Sequence, residues 1–392
     1  MKKSSYWLYF TAMVLAALNM RPGITSFAPL IERIAEDLSM SRGLAGLTTA
    51  MPVLMMGLMA PLAPRLAVRW GLERTLCLCM LVIGCATVLR IFGQYISVLI
   101  LTSIFVGGAI AVTGPLLSGF VKRYFAKNMG LMAGIFSLSM AVGGTLGVVL
   151  TVPATSALSN DWRWGLASWA LLGFVAFFVW LCVPNVREEG SQAAQGGGLP
   201  WRSGRAWLLS SYFALQAGLF YAIATWMVAR FEEAGHSAAY SNVLFSSFML
   251  VGLPSSLLMP WIAQRVTNRH WIMMFCGVIA IGCLAAITWA PMTYPLLMCS
   301  VLGAALNATF SLALTLPMYE AKDPIDVSRL TSMMLFSGYS IGSVSPVLVG
   351  IARDMSGTYQ LPFIAMTAVL VVMVILASQM GHRRQTGNTN AA

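Results

Sequence analysis

The sequence predicts an all-α integral membrane protein with twelve transmembrane helices in two bundles of six. Three observations lead there. The 392 residues are 58% hydrophobic and 9% charged, where a soluble domain carries roughly 25% charged residues, and the mean hydropathy is +0.78. Apolar stretches of about 18 to 25 residues recur along the whole chain, each long enough to cross roughly 30 Å of hydrocarbon as a helix. No period-two alternation runs through them, so the spans are helices and not barrel strands.

Charges mark off the spans in order. The first, 6–28, starts with the apolar run from Tyr6 and carries Arg21; the second, 44–63, lies between Arg42 and Arg65. The third, 76–93, follows Arg74 and holds Arg90, and the fourth, 95–118, ends before Lys122 and Arg123. Spans 130–153 and 164–184 follow Lys127 and Arg163. Span 206–229 runs from Arg205 to Arg230, 241–263 ends before Arg265, and 271–290 follows Arg269. Span 294–317 precedes Glu320 and Lys322, 330–351 lies between Arg329 and Arg353, and 361–380 ends before Arg383. The opening Met-Lys-Lys and apolar run resemble a secretory leader. That reading fails because the run continues through Arg21-Pro22 without a small-residue cleavage site and eleven further spans follow.

The basic residues orient the chain. With an even span number both ends share a side, and that side's loops carry 17 Lys and Arg against 5 on the other, which makes both termini cytoplasmic. This bias accounts for the net charge of +11; basic loops facing anionic lipid head groups need no nucleic acid. All seven cysteines fall in spans or at their ends, where they read as small packing residues, so neither a disulfide nor a metal site is expected.

Between the sixth and seventh spans runs NVREEGSQAAQGGGLPWRSGR, a polar, Gly-rich linker. The domain expectation is therefore an N-terminal bundle 1–184, a cytoplasmic linker 185–205, a C-terminal bundle 206–380 and a cytoplasmic tail 381–392. The halves echo each other: IFVGGAIAVTGPLL in the fourth span and VLGAALNATFSLAL in the tenth both pair small residues with a later polar one. Many secondary transporters use such a repeat, rocking two bundles about a central site.

Chemistry concentrates in LNMRPGITSFAPL, residues 18–30. Arg21 is about 15 residues into its helix, so roughly 22 Å deep, where an arginine costs about 2.5–3.5 kcal/mol even on a lenient scale. With Asn19, Pro22, Gly23, Thr25 and Ser26 beside it, it reads either as an anion-binding group in a watery cavity or as an arginine bonded to carbonyls at a proline kink. Arg90 lies at a similar depth; it is a second candidate for substrate, or a long side chain reaching the outer interface or Glu32, Glu36 or Asp37. Every carboxylate is assigned to a loop, Glu73 to a cytoplasmic one, and the basic Arg230 is assigned to an outer loop. Gln216, Phe220, Tyr221 and Trp226 on the seventh span, with Asn307 and Phe310 on the tenth, are cavity candidates. The glycines Gly143, Gly144 and Gly147 read as close helix packing. The three histidines lie in loops, and neither a hydrolase triad nor a phosphate-binding G-x-x-x-x-G-K-[ST] is present. No cofactor and no enzymatic activity are expected.

Several segments carry a resemblance. Pro64 to Leu76, P-R-L-A-V-R-W-G-L-E-R-T-L, resembles the G-x-L-A-D-R-x-G-R-R-x-x-L loop of the major facilitator superfamily, with Pro64 for the first glycine and Val68 for the aspartate. DWRWG at 161–165 and SPVLVGIARDMSGTY at 345–359 are similar to its punctuation. LNMRP, TSFAPL, VLR ending at Arg90 and GPLLSGFVKRYF at 114–125 resemble the cyanate permease family, which has a nitroimidazole exporter-like branch. The resemblance implies the major facilitator fold and secondary active transport, by alternating access, of a small anion or small polar compound. It places the substrate-binding arginine on Arg21, and gating roles on Arg69, Gly71, Arg74 and Asp354. An exporter of small aromatic or amphipathic drugs is the alternative, for which Phe220, Tyr221, Trp226 and Phe310 would matter more. The expected setting is the bacterial inner membrane, as a monomer in lipid with a small solute and a co-transported proton as partners.

Overall fold

The computed structural model describes residues 3–40, 42–185, 198–266, 268–321 and 323–382. Among them every regular element is helical. The chain runs through α1 (Lys3–Asn19), α2 (Pro22–Thr25), α3 (Ile31–Asp37), α4 (Arg42–Met59), α5 (Leu62–Trp70) and α6 (Leu72–Val88). Next come α7 (Ile96–Tyr124), α8 (Met129–Ala157), α9 (Trp162–Ala167), α10 (Ala170–Leu181), α11 (Gly204–Glu233) and α12 (Ala238–Arg265). The chain closes with α13 (Arg269–Trp289), α14 (Pro295–Glu320), α15 (Pro324–Gly342), α16 (Ser345–Ser356) and α17 (Gln360–His382). Most of the expected linker 185–205 and tail 381–392 lies outside the described residues, as does Lys322.

Among the described residues ten helical stretches are long and apolar enough to cross a membrane, and eleven if the bent pair Met51–Met59 and Leu62–Trp70, 61° apart, is one span. The remaining predicted span is the first, where α1 stops after 17 residues. The stop has a chemical cause. Pro22 has no N–H to give the Leu18 carbonyl, yet its fixed φ suits the first position of a new helix, so α1 ends and α2 begins.

Contacts group the residues into two compact units, Met1–Trp201 with Pro317–Phe336, and Arg202–Leu316 with Ser337–Ala392. In the first unit the break in the first span is packed on α8 through small residues. A methyl group at Gly143 would run into the Leu18 carbonyl, and one at Gly147 would meet Pro22. The Thr25 hydroxyl lies 3.1 Å from the Arg21 carbonyl and 3.0 Å from that of Gly144, sharing its one proton between them. The glycine run is thus the close helix packing that its spacing suggested. Replacing Gly143 with valine is expected to lower the thermal midpoint of the purified protein, since overpacking costs about 1–3 kcal/mol; an unchanged melt would show that α1 and α8 can part freely.

The segment Pro317–Phe336, expected in the second bundle, makes its contacts within the first unit. Lys122 donates to the Met318 carbonyl at 3.0 Å, and Ser328 to that of Pro115 at 3.1 Å. Near α3, Asp37 accepts from the Trp162 indole at 3.0 Å and from Arg163 at 2.6 Å. The indole hydrogen bond, with the Arg163 charge, holds the Asp37 carboxyl below the usual carboxylate range. A depressed value means that this tie is present at neutral pH and lost only as pH falls through it.

The second unit is organised on α11, against which α12, α16 and α17 pack. Ser345 donates to the Gly218 carbonyl at 2.8 Å, and the Trp226 indole to that of Pro346 at 2.8 Å.

Candidate functional site

The interruption of the first span places Arg21 at the N-cap of α2. Its side chain is half-buried, and its stem faces Gly144 of α8, where an added methyl would come within 3.5 Å of the Arg21 Cβ. A broken membrane helix with a charge at the break is an arrangement on which carriers build ion sites. Thr25 belongs to the same break, but its hydroxyl is engaged by backbone. Asn19 turns the other way: it is buried, its amide nitrogen 3.6 Å from the Met80 sulfur of α6.

Arg90 differs from the expectation of a side chain reaching outward. It is 0% exposed, donates from Nη2 to the Gly23 carbonyl at 2.8 Å, and sets its guanidinium 4.6 Å from the centre of the Phe27 ring. Its Nε and Nη1 have no hydrogen-bond partner among the described residues. Of the acids considered for it, Asp37 is taken by Trp162 and Arg163, and the Glu32 side chain lies outside the described residues. Turning inward is favoured because the break frees the Gly23 carbonyl: the Phe27 amide, its ordinary helical partner, bonds Ile24 instead.

Two buried charges depart from the loop assignments made from sequence. Glu73 is 1% exposed, and one of its oxygens accepts from Arg123 at 2.9 Å and from the Tyr124 hydroxyl at 2.8 Å. The physical reason is that α6 already begins at Leu72, so Glu73 sits in its first turn, facing the last turn of α7. Arg230, near the end of α11, is also buried; it donates to the Thr288 carbonyl at 2.8 Å and to Glu233 at 3.3 Å. An acid entering an apolar run beside a basic residue at the end of the next one was the available signal for the Glu73 pair.

The second unit brings together the candidates on α11 and α14. Gln216 is buried and donates to the Leu306 carbonyl at 3.1 Å, while its Oε1 has no partner among the described residues. Asn307 is half-buried and donates to Gly303 of its own helix at 3.0 Å. The aromatics form a connected row. Phe310 lies 5.8 Å from Phe213, Phe213 5.8 Å from Tyr339, Tyr339 6.5 Å from Tyr221, and Tyr221 5.9 Å from Phe220, centre to centre. Trp226, a further candidate, is spent on Pro346.

Arg69 and Arg74 are exposed on either side of Gly71, whose φ of +91° makes the turn between α5 and α6. Val68, at the aspartate position of the loop motif, is exposed. Asp354 is exposed and 3.4 Å from its neighbour Arg353.

Comparison with known proteins gives this geometry a context. The chain is 31% identical to the cyanate transport protein CynX of Escherichia coli (strain K12), covering 93% of this chain and 94% of that one. It is 29% identical to the transporter YycB of Bacillus subtilis (strain 168), over 95% and 92%. With the 2-nitroimidazole transporter of Escherichia coli (strain K12) it shares 28% identity over 95% of each. Among solved structures, the proton:xylose symporter XylE superposes with a TM-score of 0.80 at 13% identity, covering 97% of this chain and 96% of that one, which speaks to fold alone. The family model of the Major Facilitator Superfamily matches residues 10–343. The chain belongs to the major facilitator superfamily.

Proposed function

We propose that this transporter carries a small anion across the bacterial inner membrane by alternating access, with both termini in the cytoplasm. Arg21 carries the reading: an arginine, half-buried, stationed at the break of the first span against the glycine face of α8. A planar guanidinium there offers charge-assisted hydrogen bonds, stronger in a low-dielectric site than in water. The cyanate transport protein among the relatives supports a small anionic solute.

A proton accompanies the substrate in this account, either on the substrate itself or through an acid near the membrane surface such as Glu32, Glu36 or Asp354. The carrier acts as a monomer in lipid. A second reading, export of a small aromatic compound, is favoured by the connected row of rings from Phe310 to Phe220 and by the 2-nitroimidazole transporter among the relatives.

The test is ligand-dependent thermal stabilisation of the purified protein with cyanate, other small anions, carboxylates and nitroimidazoles, followed by proteoliposome uptake with and without a pH gradient. Stabilisation and saturable uptake with a small anion are expected, enhanced by the gradient. Response to nitroimidazoles alone would move the assignment to the second reading.

A further inference from the structure

We propose that Arg90 is a positioning residue that holds the first span in its broken form and thereby aims Arg21, at a net cost to stability. This rests on the role given to Arg21 above. Arg90 grips the break at two points. Its Nη2 takes the Gly23 carbonyl, two residues beyond Arg21, and its guanidinium lies against the ring of Phe27, on the far side of α2. The segment between those points is the one whose helical bonding is disturbed. Its amides bond unevenly: Ile24 reaches three residues back to the Arg21 carbonyl at 2.9 Å and Phe27 to that of Ile24 at 3.4 Å, while Thr25 and Ser26 between them bond four residues back at 3.0 Å.

The surroundings argue that stability alone does not explain this residue. Phe27 belongs to a buried apolar cluster with Leu30, Ile34, Leu99, Trp162 and Leu166. Next to that cluster a guanidinium with 0% exposure uses Nη2 and leaves Nε and Nη1 unbonded among the described residues. Such a charge is expensive, and an apolar side chain of similar length is commonly neutral or stabilising in its place. Arg230 shows the better-satisfied alternative, since it spends Nη2 on the Thr288 carbonyl and Nη1 on Glu233. A residue that burdens the fold yet fastens the chain beside Arg21 is best explained by the geometry it imposes there.

The test compares the purified full chain with Arg90→Met and Arg90→Lys by three readings: thermal midpoint, hydrogen exchange of the amides of residues 24–27, and uptake kinetics into proteoliposomes. The transport probe is cyanate or 2-nitroimidazole, whichever the unaltered protein accumulates. For Arg90→Met the midpoint is expected to stay level or rise while exchange at residues 24–27 quickens about tenfold. KM is expected to rise about tenfold with little change in maximal rate, as when binding is lost uniformly. Arg90→Lys, which keeps a donor for Gly23, is expected to fall between the two. Unchanged exchange at residues 24–27 overturns the proposal, as does a midpoint that falls with faster exchange throughout the chain. So does an unchanged KM where Arg21→Ala abolishes uptake. Quickened exchange with normal transport by Arg21→Ala would instead locate the failure in the reading of Arg21.

Discussion

Replacing Arg21 with alanine is expected to abolish saturable uptake while the protein still inserts and melts as before. The loss is large because removing the guanidinium takes away hydrogen bonds to a charged partner, each worth about 1.5–3 kcal/mol. Lysine is expected to recover little: it keeps the charge as a point on a flexible stem but loses the planar fork that grips an anion with two donors. Stability should be spared, since the side chain is half-buried and its stem meets the bare face of Gly144. Initial rates over a range of substrate concentrations, with size-exclusion profiles and melts of the same preparations, make the check. Wild-type kinetics in Arg21→Ala would falsify the assignment of this residue.

The largest effect on stability is expected at Glu73. Its carboxylate receives both the Arg123 guanidinium and the Tyr124 hydroxyl, so Glu73→Ala removes the carboxylate that a largely buried cation and a hydroxyl share. Removing one member of a buried pair costs about 3–5 kcal/mol, whereas replacing both by apolar residues is often neutral. The double change Glu73→Met with Arg123→Leu is therefore expected to recover most of the melting temperature that Glu73→Ala loses. Thermal midpoints of the singles and the double form the cycle. A Glu73→Ala protein as stable as the parent would show that the pair contributes nothing.

Long apolar runs were legible from composition, because a helix in hydrocarbon must be both long and apolar and few sequences satisfy that by chance. Legible too was the strain at Arg21-Pro22, since a missing N–H and a mid-span charge are written in the residues themselves. The burial of Glu73 and Arg230 was missed, because hydropathy ends a span at its first charge, whereas α6 and α11 carry their helical turns through those charges and bury them. Arg90 was seen as a charge with two readings, substrate contact or reach to the outer interface, and neither used the carbonyl it takes, which is freed by a break 67 residues earlier. The candidates on the second unit could be named from polarity and aromaticity. Which of them are spent on backbone, as Gln216 is on Leu306, depends on how α11 and α14 approach each other.

The tether from Arg90 to Gly23 also sets an order of events during synthesis. At about 5–20 residues per second, a separation of 67 residues means that the ribosome adds Arg90 roughly 3–13 s after Gly23. During that interval the first span, arginine and all, has been made and its anchor has not. A nascent chain arrested between these two points holds the segment around Arg21 without the hydrogen bond that fastens Gly23 in the finished protein.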